Sequence, residues 1–511
     1  MALKTPSIQI SYQPLDIVGS STFGKSPDIM ASRTFNMFQT DDWMTNYPGH
    51  SEAINISNEG TGRGIFTSGN SGVMICVINE FAYVISLFSL GIDGKKNFSY
   101  RKIGELATIT GDVFIDENNA NQIAICDQLN LYIWNSITDT FQIALMPTTP
   151  SGSAMVPGYV TFQNGNFVVP DTLTNFWALS APNDGLNWFW GASGQPVQGT
   201  ISTKPDLGRV TIRFPGHGNL LLVLGKTVGE LFTDIGGALF PYQRSTSVNF
   251  DYGCVNPATL ASSEDFVAWL GSNERSEPVI MFCSGSDIKT LSTDGINNLL
   301  QKITNPEKSV GFFVKIMGHL IYQLTFFDPK DNFTLMYDFT TNKFYDATDE
   351  NMDHHIARKV AFFQDEYYFI SLNDGNIYLM SSDLNSLSYG NIASQNLRVY
   401  DMPRVRVCSN FRLPDCSRFI VSNIALTIEQ GNDNLNTIAN PDYVPRMALS
   451  ISNNGGITFS SYENIELNKS GNGVNIMQWW NLGASNNFVA QFRFWSKGPS
   501  NLFNGVMGFY Q

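Results

Sequence analysis

Apolar residues along this chain fall in short runs separated by Gly, Asn, Pro and Ser, and the runs come in groups. The clearest group is Lys308–Thr348. It holds Val314–Ile316, Leu320–Phe327, a turn at Pro329–Asn332, Thr334–Phe339, a second turn at Asn342, and Phe344–Asp346. Runs of β-branched and aromatic residues between turn residues predict antiparallel meanders. Four short strands in about forty residues make one blade of a β-propeller. Units of the same design are read at Arg63–Leu106, Ala107–Met146, Val156–Gln195, Leu207–Ser245, Cys254–Ser292 and Ile356–Asn385. The last is short and can be completed by a strand from the N-terminal arm, so the expectation is six or seven blades. Within these units Asn164-Gly165 and Asp93-Gly94 mark turns. The first is the strongest hairpin signal in the chain, because a type I′ turn needs two residues at positive φ. Only Asp294–Lys302 can carry a helical turn or two.

The ends read differently. In residues 1–55, Pro6, Pro14, Pro27 and Pro48 break any helix, and Gly19–Thr22 is loop-like, which predicts an extended arm. Residues 56–390 are the propeller. The chain loosens into Ser and Asn over Asn385–Gln395, and residues 396–511 form a second all-β unit. Its strands are expected at Leu397–Tyr400, Phe419–Ile428, Met447–Ile451, Val474–Trp480 and Phe488–Trp495, a spacing that suits a β-sandwich or jelly-roll-like domain.

Composition narrows the function. With 511 residues, 43% of them hydrophobic and 13% aromatic, the chain can build a large core. Charged residues are only 15%, which fits a component whose surface is covered by neighbours, or simply an Asn-rich proteome. A net charge of −14 argues against gripping nucleic acid by its phosphates, while an acidic wall would let a duplex slide past. The six cysteines form no CxxC pair and are read as buried free thiols made in a reducing cytoplasm. MALKTPSIQISYQP lacks the apolar core of a signal peptide, and no run is long enough to span a membrane.

Candidate chemistry is sparse. Gly225-Lys226-Thr227 imitates the end of a phosphate-binding loop, but Leu220 stands where that motif needs Gly and strand surrounds it. Asp353-His354-His355 is a poor chelator, since neighbours on a strand face opposite ways; a solvated loop between blades is expected. Asp328–Asp331 and Asn373–Asn376 are turn sequences. Ser452-Asn453-Asn454-Gly455-Gly456-Ile457-Thr458-Phe459 resembles the Asp-box hairpin, S-x-D-x-G-x-T-W, with Asn454 for Asp and Phe459 for Trp. Its Ser and Asx side chains close the turn, Gly supplies positive φ, and the aromatic packs beneath. Scattered arginines (Arg33, Arg63, Arg209, Arg213, Arg358) show no sialidase-like grouping. No catalytic, cofactor-binding or metal-ligating residue is assigned, no cofactor is expected, and the chain is read as a non-enzyme.

Landmarks in the stretch Gly225–Ser292 occur in a recognisable order: Gly225, Glu230, Phe240-Pro241, Gly253-Cys254, Pro257 and Trp269-Leu270-Gly271. Others are Ser32–Phe38 with Tyr47-Pro48-Gly49, Phe176–Ser180 with Asn183-Asp184-Gly185 and Trp188, Gly375-Asn376-Ile377-Tyr378, and the Ser452–Phe459 hairpin followed by Trp479-Trp480-Asn481-Leu482-Gly483. Together, over residues 32–496, they resemble the packaged-DNA stabilization, or tail nozzle, proteins of short-tailed bacteriophages. Asn481 departs from the family pattern, in which a basic residue is common there. The resemblance implies a structural virion protein in a homohexameric ring below the portal–adaptor ring. It would extend the DNA channel, retain the packaged genome, and dock fibres, spikes or a needle. Double-stranded DNA would pass without sequence-specific binding, the protein itself would not insert into a membrane, and assembly would occur in the host cytoplasm. The rival of another class is a propeller-fold tail protein that binds or cleaves glycans.

Overall fold

Turn residues set the repeat of the fold. The computed structural model describes residues 9–24, 32–91, 95–150, 152–214, 217–237, 240–275, 277–284, 287–390, 395–430, 444–467, 473–498 and 500–511. Asp93-Gly94 lies outside them. Asn164 (φ 50°) and Gly165 (φ 95°) join Thr161–Gln163 to Asn166–Pro170 as the hairpin chemistry demands. The first sheet comprises Gly62–Thr67, Met74–Ile78, Phe81–Leu90 and Lys96–Glu105, all antiparallel. Further sheets occupy residues 114–143, 161–200, 208–250, 253–290 and 309–347. In the fifth, two short strands, Gly253–Cys254 and Ala261–Ser262, share the innermost place beside Val267–Ser272. The helix Asp294–Leu300 follows that sheet, and the Thr293 side chain caps it by accepting from the Ile296 N–H.

A seventh sheet closes the ring. Ala357–Phe363, Glu366–Ser371 and Gly375–Ser381 are joined by Gly49–Ser57, which pairs antiparallel with Gly375–Ser381 across most of the chain's length. Without it Gly375–Ser381 would be an open edge. The innermost strands touch in succession around the ring, and Ala357–Phe363 returns to Gly62–Thr67. Apolar clusters fill each space between sheets; one gathers Trp177, Leu221, Val223 and Phe232, another Trp269, Leu222, Leu224 and Met281. The all-β propeller of the sequence reading is therefore present.

The described residues of 9–57 carry five strands shared among three sheets. Ser11–Leu15 pairs with Ser500–Tyr510, as does Trp43–Asn46 through Met44. Arg33–Phe35 lies between Lys343–Ala347 of the sixth propeller sheet and Arg404–Val407, so one nine-stranded sheet runs out of the propeller. That sheet continues through Val489–Trp495, Arg446–Ser452 and Glu463–Glu466. Facing it is a six-stranded sheet ordered Met37–Thr40, Trp43–Asn46, Ser500–Tyr510, Phe419–Gln430, Gly473–Ser485, with Ser11–Leu15 also on Ser500–Tyr510. Phe492, Phe494 and Met447 meet Ile424, Leu426 and Met507 between them.

Among the described residues of 396–511, three strands escaped the sequence reading: Arg404–Val407, Glu463–Glu466 and Ser500–Tyr510. The last reads as loop because of Asn504, Gly505 and Gly508. Gly505 is required by packing, since a Cβ there would lie 2.7 Å from Ile17 and 3.1 Å from Leu426. The segment Asn385–Gln395, read as a boundary, begins with the strand Ser386–Tyr389, which with Arg398–Asp401 extends the seventh sheet beyond Gly49–Ser57; residues 391–394 lie outside the described residues.

Candidate functional site: the propeller axis

Each of the seven sheets sends inner side chains toward the ring axis, where they line a cavity of about 340 Å³. Phe66, Phe114, Tyr159, Phe312 and Phe313 make much of the wall, and Asp116, Arg213 and Lys359 bring charge. Asp116 is the one carboxylate among the lining residues, all of them described. It accepts the Phe162 N–H (2.6 Å), the Glu117 N–H (2.9 Å) and the Thr161 hydroxyl (3.3 Å). Burial pushes its carboxyl above the usual carboxylate range, against the opposing pull of Arg213 and these donors. Lys359 donates to the carbonyls of Ala258 (2.7 Å), Leu260 (3.2 Å) and Gly311 (2.7 Å). Burial pulls its ammonium down to about 8, with Asp112 opposing. It acts as a bolt from the seventh sheet to the fifth and sixth. Arg213 makes one long bond, to the Phe162 carbonyl at 3.5 Å.

Size decides what this axis can pass. A volume of this order suits a small molecule. A DNA duplex, whose major groove alone is about 12 Å wide, does not enter it. Acid–base cleavage of a glycoside uses two carboxyl groups roughly 5–9.5 Å apart; the axis offers Asp116 alone.

The other sequence candidates resolve into structural roles. In the Gly225–Thr227 turn, Asp206 takes the N–H groups of Thr227 (2.7 Å) and Val228 (3.1 Å), the donors a phosphate would need. Asp328 and Asp374 close their own turns through the N–H groups of Lys330 and Asn376. His354 leans on Asn332, Nδ1 to Oδ1 at 2.5 Å. His355 corrects the expectation of a solvated loop, being 2% exposed. Its Nδ1 accepts the Ala357 N–H at 3.2 Å, and its Nε2 has no partner. Beside it, 6.1 Å between ring centroids, lies His50 of the closing strand, buried with both ring nitrogens unpartnered among Phe369, Tyr378 and Tyr389. Nothing in the sequence brought this pair together, since 305 positions separate them. Among the described residues no group of three or more His, Cys, Asp or Glu is placed to hold a metal.

The Ser452 hairpin keeps the turn chemistry of its motif. Ser452 Oγ accepts the Gly456 N–H (2.9 Å), Asn454 Oδ1 accepts the Thr458 N–H (3.0 Å), and Gly455 and Gly456 sit at φ 76° and 93°. Phe459 does not pack beneath it, being 37% exposed. Five cysteines are buried free thiols; Cys416 is exposed and corrects that reading. The loose opening motif proves to be a rivet. Arg33 forms a two-pronged pair with Asp346 (2.9 and 2.6 Å), and Asn36, at φ 54°, bonds Thr348 and the Pro403 carbonyl.

The propeller, whose axis holds only this small cavity, is joined by a shared sheet to a second pair of sheets. Residues 56–384 match the family model described as Bacteriophage P22 Gp10, beta-propeller, and the chain belongs to that phage-stabilisation family. Membership makes it a structural phage protein concerned with stabilising packaged DNA, and places it in the virion. No curated protein matches the chain. Among solved structures, a chain of the mitotic checkpoint complex is 10% identical with a TM-score of 0.40, covering 65% of this chain and 91% of that one. The extracellular domain of a hybrid two-component system from B. thetaiotaomicron is 9% identical with a TM-score of 0.43, covering 89% of this chain; the match spans 62% of that domain.

Proposed function

We propose that copies of this chain assemble as a ring, six in number by resemblance to the family, beneath the portal–adaptor ring of a short-tailed phage. The ring extends the DNA channel, retains the packaged genome and docks fibres, spikes or a needle, without catalysis and without a cofactor. The observation that carries this is the small bore of the propeller axis, a cavity of about 340 Å³ walled by side chains from all seven sheets. A duplex has no path through one copy, so a DNA conduit made by this protein has to lie between copies. A net charge of −14 suits such a wall, which would repel the phosphate backbone. Assembly in the host cytoplasm follows from the same reading.

The test is the mass of the purified protein, alone and after mixing with DNA-filled tailless particles. A species near six times 56.7 kDa, with genome leakage stopped on capped particles, is the expected result. A monomer that ignores particles and cleaves a surface glycan refutes the ring and promotes the rival.

A further inference from the structure

The six-stranded sheet outside the propeller ends on Gly473–Ser485, thirteen residues that pair on one side with Phe419–Gln430. Among the described residues no strand covers the other side. Its sequence, GVNIMQWWNLGAS, holds no charge and no proline. Natural edge strands are blunted by charge, by proline or by shortness, and other edges here follow that rule. Lys96–Glu105 carries Lys96, Arg101, Lys102 and Glu105; Glu463–Glu466 begins and ends on glutamate. Gly473–Ser485 alternates instead, with Val474, Ile476 and Trp480 pointing outward, each about 60% exposed, and Trp479 buried on the core side.

Register extends this apolar surface across the sheet. Trp480 stands beside Asn423, then Gly508, then Tyr12; Gln478 stands beside Ala425, Val506 and Pro14. Tyr12 is 64% exposed. In the rows from Val474 to Trp480 the sole charged side chain is Glu429, held by the Asn501 amide at 2.9 Å. Exposed apolar area on this face is on the order of the several hundred Å² that marks an interaction site.

We infer that a second copy of the chain completes this sheet, its Ser11–Leu15 edge added antiparallel to the open edge of Gly473–Ser485. The inference rests on the ring reading and names its joint. Direction supports it: Ser11–Leu15, Ser500–Tyr510, Phe419–Gln430 and Gly473–Ser485 alternate strictly, so the two free edges run in opposite senses. A neighbour's Ser11–Leu15 therefore continues the alternation with its whole sheet in the same orientation. Joining unlike edges is a head-to-tail contact, the kind that closes into rings. Pairing Gly473–Ser485 with itself would leave the Tyr12 edge bare. Pro14 has no N–H to give and keeps the added ladder short, so the apolar face carries much of the contact.

Disulfide trapping in full-length protein tests this. In a Cys416→Ser background, Tyr12→Cys is combined in turn with Ile476→Cys, Gln478→Cys and Trp480→Cys. Within one copy the two edges lie about 14 Å apart across three strand spacings, beyond the roughly 7 Å that a disulfide spans. Any bond is then between copies. Oxidation of at least one pair is expected to give a ladder of dimers, trimers and higher multimers, while each single variant stays uncrosslinked. Separately, Ile476→Lys with Trp480→Lys is expected to weaken self-association at least tenfold with the β-sheet circular dichroism unchanged. A ring that persists in that lysine variant and yields no crosslink overturns the joint and leaves the ring reading standing. Crosslinking by Ile476→Cys alone that stops at dimers overturns it in favour of a two-fold contact. A parent protein monomeric both free and on particles overturns ring and joint together.

Discussion

Acid should loosen the closure of the propeller, and His355 sets the scale. It is 2% exposed, and burial, reinforced by His354, pulls its imidazole down to about 3 from the usual 6.5. His50 on the closing strand is lowered well below 6.5 by burial and then by His355. Both are neutral in the native protein at pH 7 and above, where neither contributes a pH dependence. Below pH 6.5 the unfolded chain gains a proton at each site that the folded chain does not take up. Stability then falls by about 1.4 kcal/mol per pH unit for each such histidine, until the folded pKa is reached. For His355 the loss between pH 7 and pH 5 is about 2 kcal/mol, and His50 steepens the same slope. The perturbation is His355→Asn, whose amide oxygen can still accept the Ala357 N–H, alone and with His50→Phe, which suits the surrounding rings. The assay is the urea midpoint by tryptophan fluorescence at pH 7 and pH 5. Exchange of amide hydrogens in Gly49–Ser57 locates the effect. His355→Asn should decline about 2 kcal/mol less than its parent on acidification, and the double variant less again. A decline equal to the parent's would refute the reasoning, because the remaining acid sensitivity belongs to carboxylates shared by all three proteins.

Three further outcomes are expected. Arg63, 1% exposed, donates to the carbonyls of Asn79, Thr108, Thr110 and Gly111 and to the Thr108 hydroxyl, fastening the first sheet to the connection leading to the second; Arg63→Met should cost about 3–5 kcal/mol by denaturant midpoint, and Arg63→Lys less. Asp346→Asn breaks the two-pronged contact with Arg33 and weakens that with the Ser21 hydroxyl, so limited proteolysis should cut within residues 9–24 faster while the propeller resists. A thiol reagent should label one of six cysteines in native protein, at Cys416, and all six after unfolding.

The repeat was legible because blades are built from local hairpins. The unit read at Lys308–Thr348 differs from the observed sheet, residues 309–347, by one residue at each end. Asn164-Gly165 announced its turn because few residue pairs tolerate positive φ twice. What stayed hidden is what comes from far along the chain. The short last unit takes a strand from the N-terminal arm, as its length implies, but which residues pair with Gly375–Ser381, and in what register, a local period cannot name. The role of Arg33 needs Asp346, and the burial of His355 needs His50 and the aromatic rings around both. Ser500–Tyr510 was missed because its glycines answer to Ile17 and Asn423, neighbours that only the folded sheet supplies.

Those long-range joints change how the propeller and the second sheet pair should be regarded. Arg33–Phe35 hydrogen-bonds to Lys343–Ala347 on one side and Arg404–Val407 on the other, so backbone ladder, not a linker, connects them. Fully buried Arg404 and Arg406 reinforce the seam, Arg404 through the carbonyls of Asn385, Ser496 and Gly498, Arg406 through those of Asp16 and Ser20 and the Thr34 hydroxyl. A buried arginine left without its carbonyls is costly, so opening the seam at one point strands charge at the next. Force applied to the propeller is thereby delivered to the sheet that carries Gly473–Ser485. It follows that Arg406→Met should disturb both halves together: the unfolding of the propeller and the loss of self-association should shift by the same amount. A propeller transition left in place while self-association is lost would show two independent bodies and refute the shared-sheet argument.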